Sequence, residues 1–403
     1  MGFLALLDWG GLGGAAARRL LGANPSALSS RPMAPRTPAK ASRPTTPPVL
    51  VRQVRNGVVE SVHRGDIVEA DVSGKVLRAI GDPDRVAFLR STVKPFGLVA
   101  LLRAGGRTEF DLTPDEIAIM ASSHSGEDIH VRTLQALYRR VGVAASALAC
   151  GTEGMPLDGL TAARLARDGE RPSPLRHMCS GQHSVFVLLA KLGGWSPDGY
   201  WEADHPAQRA YAETVAAAFD VRPGQLRTGI DGCGIPTYAF RLRDVARAFA
   251  MLAAPEAVPA TDGRAVLAPH LTVVRDAMLR HPELVAGTRE RLDSALMKAA
   301  PGRLVSKSGM EALRGVGILT GPRTGTADTR PTGLALKVED GDGYDRGTYA
   351  ASVEALAQIG VLDAAAVRAL ARYHRPPSYD PHGRLVAEAV PEFQLAPVGE
   401  LAG

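Results

Sequence analysis

The sequence predicts an α+β fold in which an antiparallel sheet lobe with flanking helices, built from both ends of the ordered chain, surrounds an all-helical lobe. Three observations carry this expectation. β-Branched runs joined by tight-turn dipeptides open the ordered part, helical periodicity fills the middle, and strand-like runs return before a last helix. The order strands, helices, strands, helix separates the two kinds of element, unlike the alternation of a dinucleotide-binding fold.

Order is expected from about Val49. Val49–Val54, Val58–Val62, Ile67–Val72 and Val76–Ile80 read as short strands, with Asn56-Gly57 and Ser73-Gly74 as hairpin turns and Arg64-Gly65 as a turn between the second and third. After Gly81-Asp82-Pro83-Asp84 the pattern turns helical, and Thr113-Pro114-Asp115-Glu116 is a capping box with Pro at the first helical position, opening a helix to about Ala121. Val131–Val143, Ala207–Phe219, Leu242–Ala253 and Ala265–Arg280 keep the 3.6-residue apolar period between Gly/Pro loops. Strands are expected again around Leu304-Val305, at Val316–Leu319 and at Leu334–Val338, followed by a turn at Asp340–Gly343 and a helix at Tyr349–Ile359. The expected organisation is one two-lobed domain over 47–403, its sheet lobe at about 47–112 and 299–395 and its helical lobe at about 113–298.

Composition limits the function classes. The 403 residues are 45% hydrophobic and 22% charged, ordinary for a globular chain. The net charge of +5 comes entirely from residues 1–50, which hold six basic residues and one acid; from residue 51 onward 41 basic face 41 acidic residues. The body therefore has no overall attraction for phosphates, and no nucleic-acid partner is expected. Residues 1–46 read as a disordered extension, the stretch Pro25–Pro48 that reaches just past them holding seven Pro, and Gly10–Gly14 follows no strand and is no phosphate loop. Three cysteines are too few for a disulfide scaffold, so a reducing compartment, the cytoplasm, is expected. No apolar run reaches the length of a membrane span, so no membrane partner is expected.

Lysine is scarce, with 7 Lys against 40 Arg, so a Lys that remains draws notice as a candidate for chemistry that needs a deprotonatable amine. Ser91-Thr92-Val93-Lys94 is an S-x-x-K tetrad where strands give way to helix, which would place both side chains on one face near a helix start. Lys307-Ser308-Gly309 is the K-[ST]-G element that accompanies S-x-x-K in acyl enzymes, and Ser122-Ser123-His124-Ser125 is a hydroxyl-rich loop at a helix end. Together they read as a Ser–Lys acyl-transfer site, the alternative being a coincidence of surface features. Lys337 reads as a solvated strand residue. Cys179 and Cys233 lie at loop junctions beside His183 and Asp231, as ligands for a borderline metal such as zinc or as inert buried thiols, and Cys150 reads as packing.

Six segments, RSTVKP at Arg90–Pro95, SSHSGE at Ser122–Glu127, HMCSGQH at His177–His183, GIDGCGIPTYAF at Gly229–Phe240, LVSKSGMEAL at Leu304–Leu313 and LKVEDGD at Leu336–Asp342, resemble the Rhizobium-etli-type L-asparaginase (asparaginase II) family, in unbroken order over roughly 48–390. The resemblance implies a serine β-lactamase-like fold and hydrolysis of a small-molecule side-chain amide through an acyl-enzyme. It implies Ser91 as nucleophile, Lys94 and Lys307 as the bases that share its proton, and Ser123 as relay to the leaving ammonia. Arg90, His183 and Asp231 match the remaining site residues, as groups for the substrate carboxylate or groups supporting the site. The resemblance also implies a homodimer and a zinc site at Cys179, position 182 and Cys233, where this chain has Gln182 in place of a Lys. Met310 and Ala312 depart from the family's GAEG pattern after the catalytic Lys. The alternatives are a Ser–Lys amidase or acyltransferase for another carboxamide, and a non-catalytic binding homologue.

Overall fold

The computed structural model describes residues 46–342 and 345–398. The expected N-terminal extension lies, but for Thr46, outside the described residues, as does Gly343 of the expected turn.

The larger sheet begins with β1 (Val49–Arg55) and β2 (Val58–Ala70), joined at Asn56-Gly57, where both residues take positive φ. β3 (Val76–Ile80) returns on β2 after a turn in which the Asp71 carboxylate accepts the amides of Ser73 (3.0 Å) and Lys75 (3.1 Å). Arg64-Gly65 is not a turn: β2 runs unbroken through it, pairing with β1 in its first half and with β3 and a later strand in its second. Gly65 marks a close approach, since a Cβ there would meet the Lys337 carbonyl oxygen at 2.3 Å.

Three strands form a smaller antiparallel sheet of order β4-β6-β5: β4 (Val86–Phe88), β5 (Arg227–Ile230) and β6 (Pro236–Arg241). The region expected to be all-helical thus contributes two strands, too short and too rich in Gly and Pro to show an apolar period of two. β7 (Leu304–Gly309), β8 (Leu313–Ile318), β9 (Thr332–Val338), β10 (Pro377–Tyr379) and β11 (Leu385–Pro391) complete the larger sheet in the order β10-β11-β1-β2-β9-β8-β7, all antiparallel, with β3 branching from β2. The sheet is indeed made from both chain ends.

The helices Pro114–Met120, Asp128–Val141, Pro206–Ala218 and Ala268–Arg280 lie where periodicity places them. At the first, the Glu116 carboxylate accepts the Thr113 amide (3.0 Å), as the capping box requires. The helix Leu242–Ala253 has the expected bounds but a different neighbourhood. It lies across β8 and β9, close enough that a Cβ on Gly333 would meet the Ala246 carbonyl oxygen at 1.9 Å. Its buried residues include Phe249 and Met251 on opposite sides, so it fills the space between sheet and helices. Among the described residues, no helix is long and apolar enough to cross a membrane.

Candidate active site

The chain enters the site from β4 through a strained turn. The Leu89 amide donates to the Tyr238 carbonyl (2.8 Å), and Arg90 then takes a left-handed backbone, φ 48°. That conformation is costly for a residue with a long side chain, and its surroundings enforce it. The Arg90 amide donates to Thr237 Oγ1 (3.1 Å), and its Nε donates to Asp231 Oδ1 (2.8 Å). Ser91 follows in a 3₁₀ turn, Arg90–Val93, and Lys94 opens a one-turn α-helix, so Ser91 does not sit at an α-helix N-terminus as expected. The i,i+3 relation still places the two side chains on one face, because a 3₁₀ turn eclipses them.

Two buried amines converge on one hydroxyl. Lys94 Nζ, on a residue 1% exposed, donates to Ser123 Oγ (3.1 Å), to the Ser122 carbonyl (2.7 Å) and to Cys179 Sγ (3.3 Å). Lys307 Nζ, on a residue 0% exposed in β7, shares a hydrogen bond with Ser123 Oγ (2.9 Å) and donates to the Ser308 carbonyl (2.6 Å). Burial drives the Lys307 amine well below the usual lysine range; Asp293 opposes this and Lys94 and Arg291 add to it. A neutral amine at that place can accept a proton.

Asp293, which the sequence did not single out, fixes β7. Its carboxylate accepts hydrogen bonds from Ser306 Oγ (2.6 Å), the Ser308 amide (3.0 Å) and Ser308 Oγ (2.6 Å), and pairs with Arg314. Burial alone would raise its carboxyl, but Arg314, Lys307 and the two serine hydroxyls hold it well below the usual range. An Asp in the first turn of the helix Leu292–Ala299 looks in sequence like ordinary helix-start chemistry.

The Ser122–Glu127 loop is held by its own polar groups. His124 Nδ1 accepts from the Gly126 amide (3.1 Å), so Nε2 carries the proton and faces Ser180 Oγ (2.8 Å). Ser125 Oγ donates to Glu127 Oε1 (2.7 Å). Behind it, the helix Ser180–Gly193 approaches Pro114–Met120 so closely that a Cβ on Gly181 would meet the Ile119 carbonyl oxygen at 1.9 Å. This contact brings Cys179 to Lys94.

Cys179 and Cys233 do meet. The Cys179 thiol is held well below its usual range, first by a hydrogen bond from Cys233 and then by Lys94 and His177, while the Cys233 thiol is raised. Gln182 turns away, donating from Nε2 to the Tyr211 hydroxyl (3.0 Å). Among the described residues no three His, Cys, Asp or Glu are grouped to hold a metal ion. Two sulfurs without a third donor do not fit the zinc site that the resemblance implies, because the residue at 182 has an amide whose nitrogen is already engaged as a donor.

His183 is buried; its Nδ1 bonds the Tyr200 hydroxyl (2.6 Å), and burial lowers its pKa to about 3. It packs against Tyr200 and Phe186 and does not line the cavity. Cys150 packs in the core with its thiol raised to about 12 by burial, and Lys337 is half-buried, not solvated, since it pairs in the sheet interior between β2 and β8. Ser91 and Ser123 open onto a cavity of about 390 Å³. Met310, 50% exposed, lies on its wall, as do Arg291 and Asp345, neither of which carries a motif in sequence.

Residues 51–391 match the family model described as L-asparaginase II. No curated protein matches the chain at a significant level. Among solved structures, the Bacillus subtilis probable glutaminase is similar over 77% of this chain and 86% of that chain, at 12% identity and a TM-score of 0.38. Mglu in its tris and glutamate form is similar over 78% of this chain and 64% of that chain, at 16% identity and a TM-score of 0.34.

Proposed function

The chain belongs to the L-asparaginase II family, a family of amidohydrolases, and on that premise we propose that it hydrolyses the side-chain amide of L-asparagine to L-aspartate and ammonia through an acyl-enzyme on Ser91. The observation that carries this reading is the Ser123 hydroxyl, bonded to both Lys94 (3.1 Å) and Lys307 (2.9 Å) on the wall of the cavity that Ser91 faces.

In this mechanism Ser91 Oγ attacks the amide carbon while its proton passes to the Lys94–Lys307 amine pair. The developing oxyanion is met by the Ser91 amide, in the first turn of its helix, where N–H groups have no intrahelical acceptor. Ser123 then delivers a proton to the departing nitrogen, the C–N bond breaks, and ammonia leaves. Water, giving up a proton to the same amines, attacks the Ser91 ester; the bond to Ser91 Oγ breaks, the amines return that proton to Ser91 Oγ, and the acid leaves. The Arg90–Asp231 pair holds the backbone strain at Arg90 that aims Ser91, and the Cys179 thiolate, with His177 beside it, holds Lys94; these are positioning groups, and no step uses a metal. We carry the homodimer as part of the proposal, with light scattering on the purified chain as its check.

The test is ammonia release from a panel of amino-acid amides with wild type and Ser91→Ala, with mass spectrometry of the protein after a substrate-like acylating reagent. Acylation at Ser91 and loss of at least about 1,000-fold in kcat for Ser91→Ala are expected. Residual activity within about tenfold of wild type, ~1.4 kcal/mol of barrier, removes Ser91 from the mechanism.

A further inference from the structure

Three arginines and four carboxylates line the cavity in front of Ser91 and Ser123, and most of them neutralise one another. Arg289 pairs with Asp158 (2.7 Å), Arg314 with Asp293, and Glu290 with Arg372 (2.8 Å). Two charges of opposite sign remain. Arg291 and Asp345 form no ion pair within 4.0 Å among the described residues, although the Arg314 and Arg291 charges act on the Asp345 carboxylate from farther away. Arg291 is half-buried and donates from Nη2 to the Ser123 carbonyl (3.0 Å), which ties the guanidinium to the loop carrying the relay hydroxyl. A guanidinium has five N–H donors in a planar fork, so most of that fork is still available. Asp345 is exposed, and its carboxylate accepts no hydrogen bond among the described residues.

The geometry points to Arg291 and Asp345 as the receptor for an amino-acid zwitterion: Arg291 takes the α-carboxylate and Asp345 the α-ammonium, with the side-chain amide extended toward Ser91. This rests on the amidohydrolase reading and adds to it the two residues that hold the amino-acid head of the substrate. Arg90, the other arginine beside the nucleophile, is already committed to Asp231 (2.8 Å). An unpaired cation and an unpaired anion in one cavity are worth most to a ligand that brings both complementary charges, because each is then hydrogen-bonded on partial desolvation.

The experiment uses the full chain and three amides. L-Asparagine has both head groups, β-alaninamide lacks the carboxylate, and succinamic acid lacks the amine. Arg291→Gln is expected to lose about 10- to 100-fold more in kcat/KM on L-asparagine than on β-alaninamide, mainly through KM, the loss shared by both amides reporting its hold on the Ser123 loop and on Lys307. Asp345→Asn is expected to lose a similar factor on L-asparagine and little on succinamic acid. Equal losses on the matched and truncated amides would overturn the assignment, because they report a general disturbance of the site. If wild type releases ammonia from none of the three, the amidohydrolase reading fails by itself, and L-aspartate binding by calorimetry decides the receptor. Binding by wild type that both variants abolish supports it, and no binding by wild type, or binding that either variant retains, overturns it.

Discussion

Lys307 has almost no access to water, yet it is the residue whose protonation the proposed chemistry depends on. Because burial disfavours its ammonium, the acid limb of kcat/KM should have a midpoint well below the ~10.4 of a free lysine. The active form is the neutral one, so activity falls as pH drops through that midpoint and levels off above it. Lys307→Arg, which cannot lose its proton, should be inactive across the range, and a pH–rate profile for both proteins checks this. Asp293 gives the complementary test. Its folded-state carboxyl titrates below the unfolded ~3.9, so the stability it contributes is fully present above that value and is lost as pH falls toward the folded one. Asp293→Asn leaves Arg314 buried without its partner and should cost about 3–5 kcal/mol at pH 7. Urea unfolding at pH 7 and at about pH 3 should show that gap narrowing in acid.

At the scale of elements, the helix Ser180–Gly193 carries a discriminating change. Gln182→Lys places a nitrogen ligand near Cys179 and Cys233, so zinc per chain should rise relative to wild type, more at pH 9 than at pH 7, since the amine must lose its proton to bind. Elemental analysis of both proteins reads the result directly, and unchanged zinc would mean that position 182 does not face the two sulfurs. The same scale shows what was legible. The Asn56-Gly57 hairpin, the Thr113 capping box and the helix Leu242–Ala253 were readable because turn chemistry and apolar period are local. Arg64-Gly65 was misread as a turn because a glycine that admits a neighbouring strand has the same letters as a glycine that reverses the chain. β5 and β6 were missed because four and six residues with Gly, Pro and Thr have no period to detect.

For the whole molecule, the charge excess and the proline-rich segment both lie before residue 51, and the family match begins there. A chain starting at residue 47 should therefore keep its activity and melt within about 1 °C of the full chain, a shift smaller than ~1 kcal/mol produces in a domain of this size. Loss of folding on truncation, seen by circular dichroism, would show that the extension contributes to the core. Larger in consequence is how distant segments meet at one hydroxyl: Lys94, Ser123, Cys179 and Lys307 are joined by hydrogen bonds although 213 positions separate the first from the last.

The sequence by itself determined the broad run of strands, helices, strands and helix, the family, and the serines and lysines proposed for the site, because S-x-x-K, the Ser122–Glu127 loop and K-S-G are contiguous motifs that carry the resemblance. Only the tertiary structure decided that Ser123 stands between both amines, that Asp293 holds the Lys307 strand, that Gln182 points to Tyr211, and that Arg291 and Asp345 are the cavity charges with no ion pair within 4.0 Å among the described residues. Each of these depends on which side chain satisfies which other across long sequence separations. Burial and pairing are set by packing, and no local pattern of residues encodes whether a charge finds its counterion.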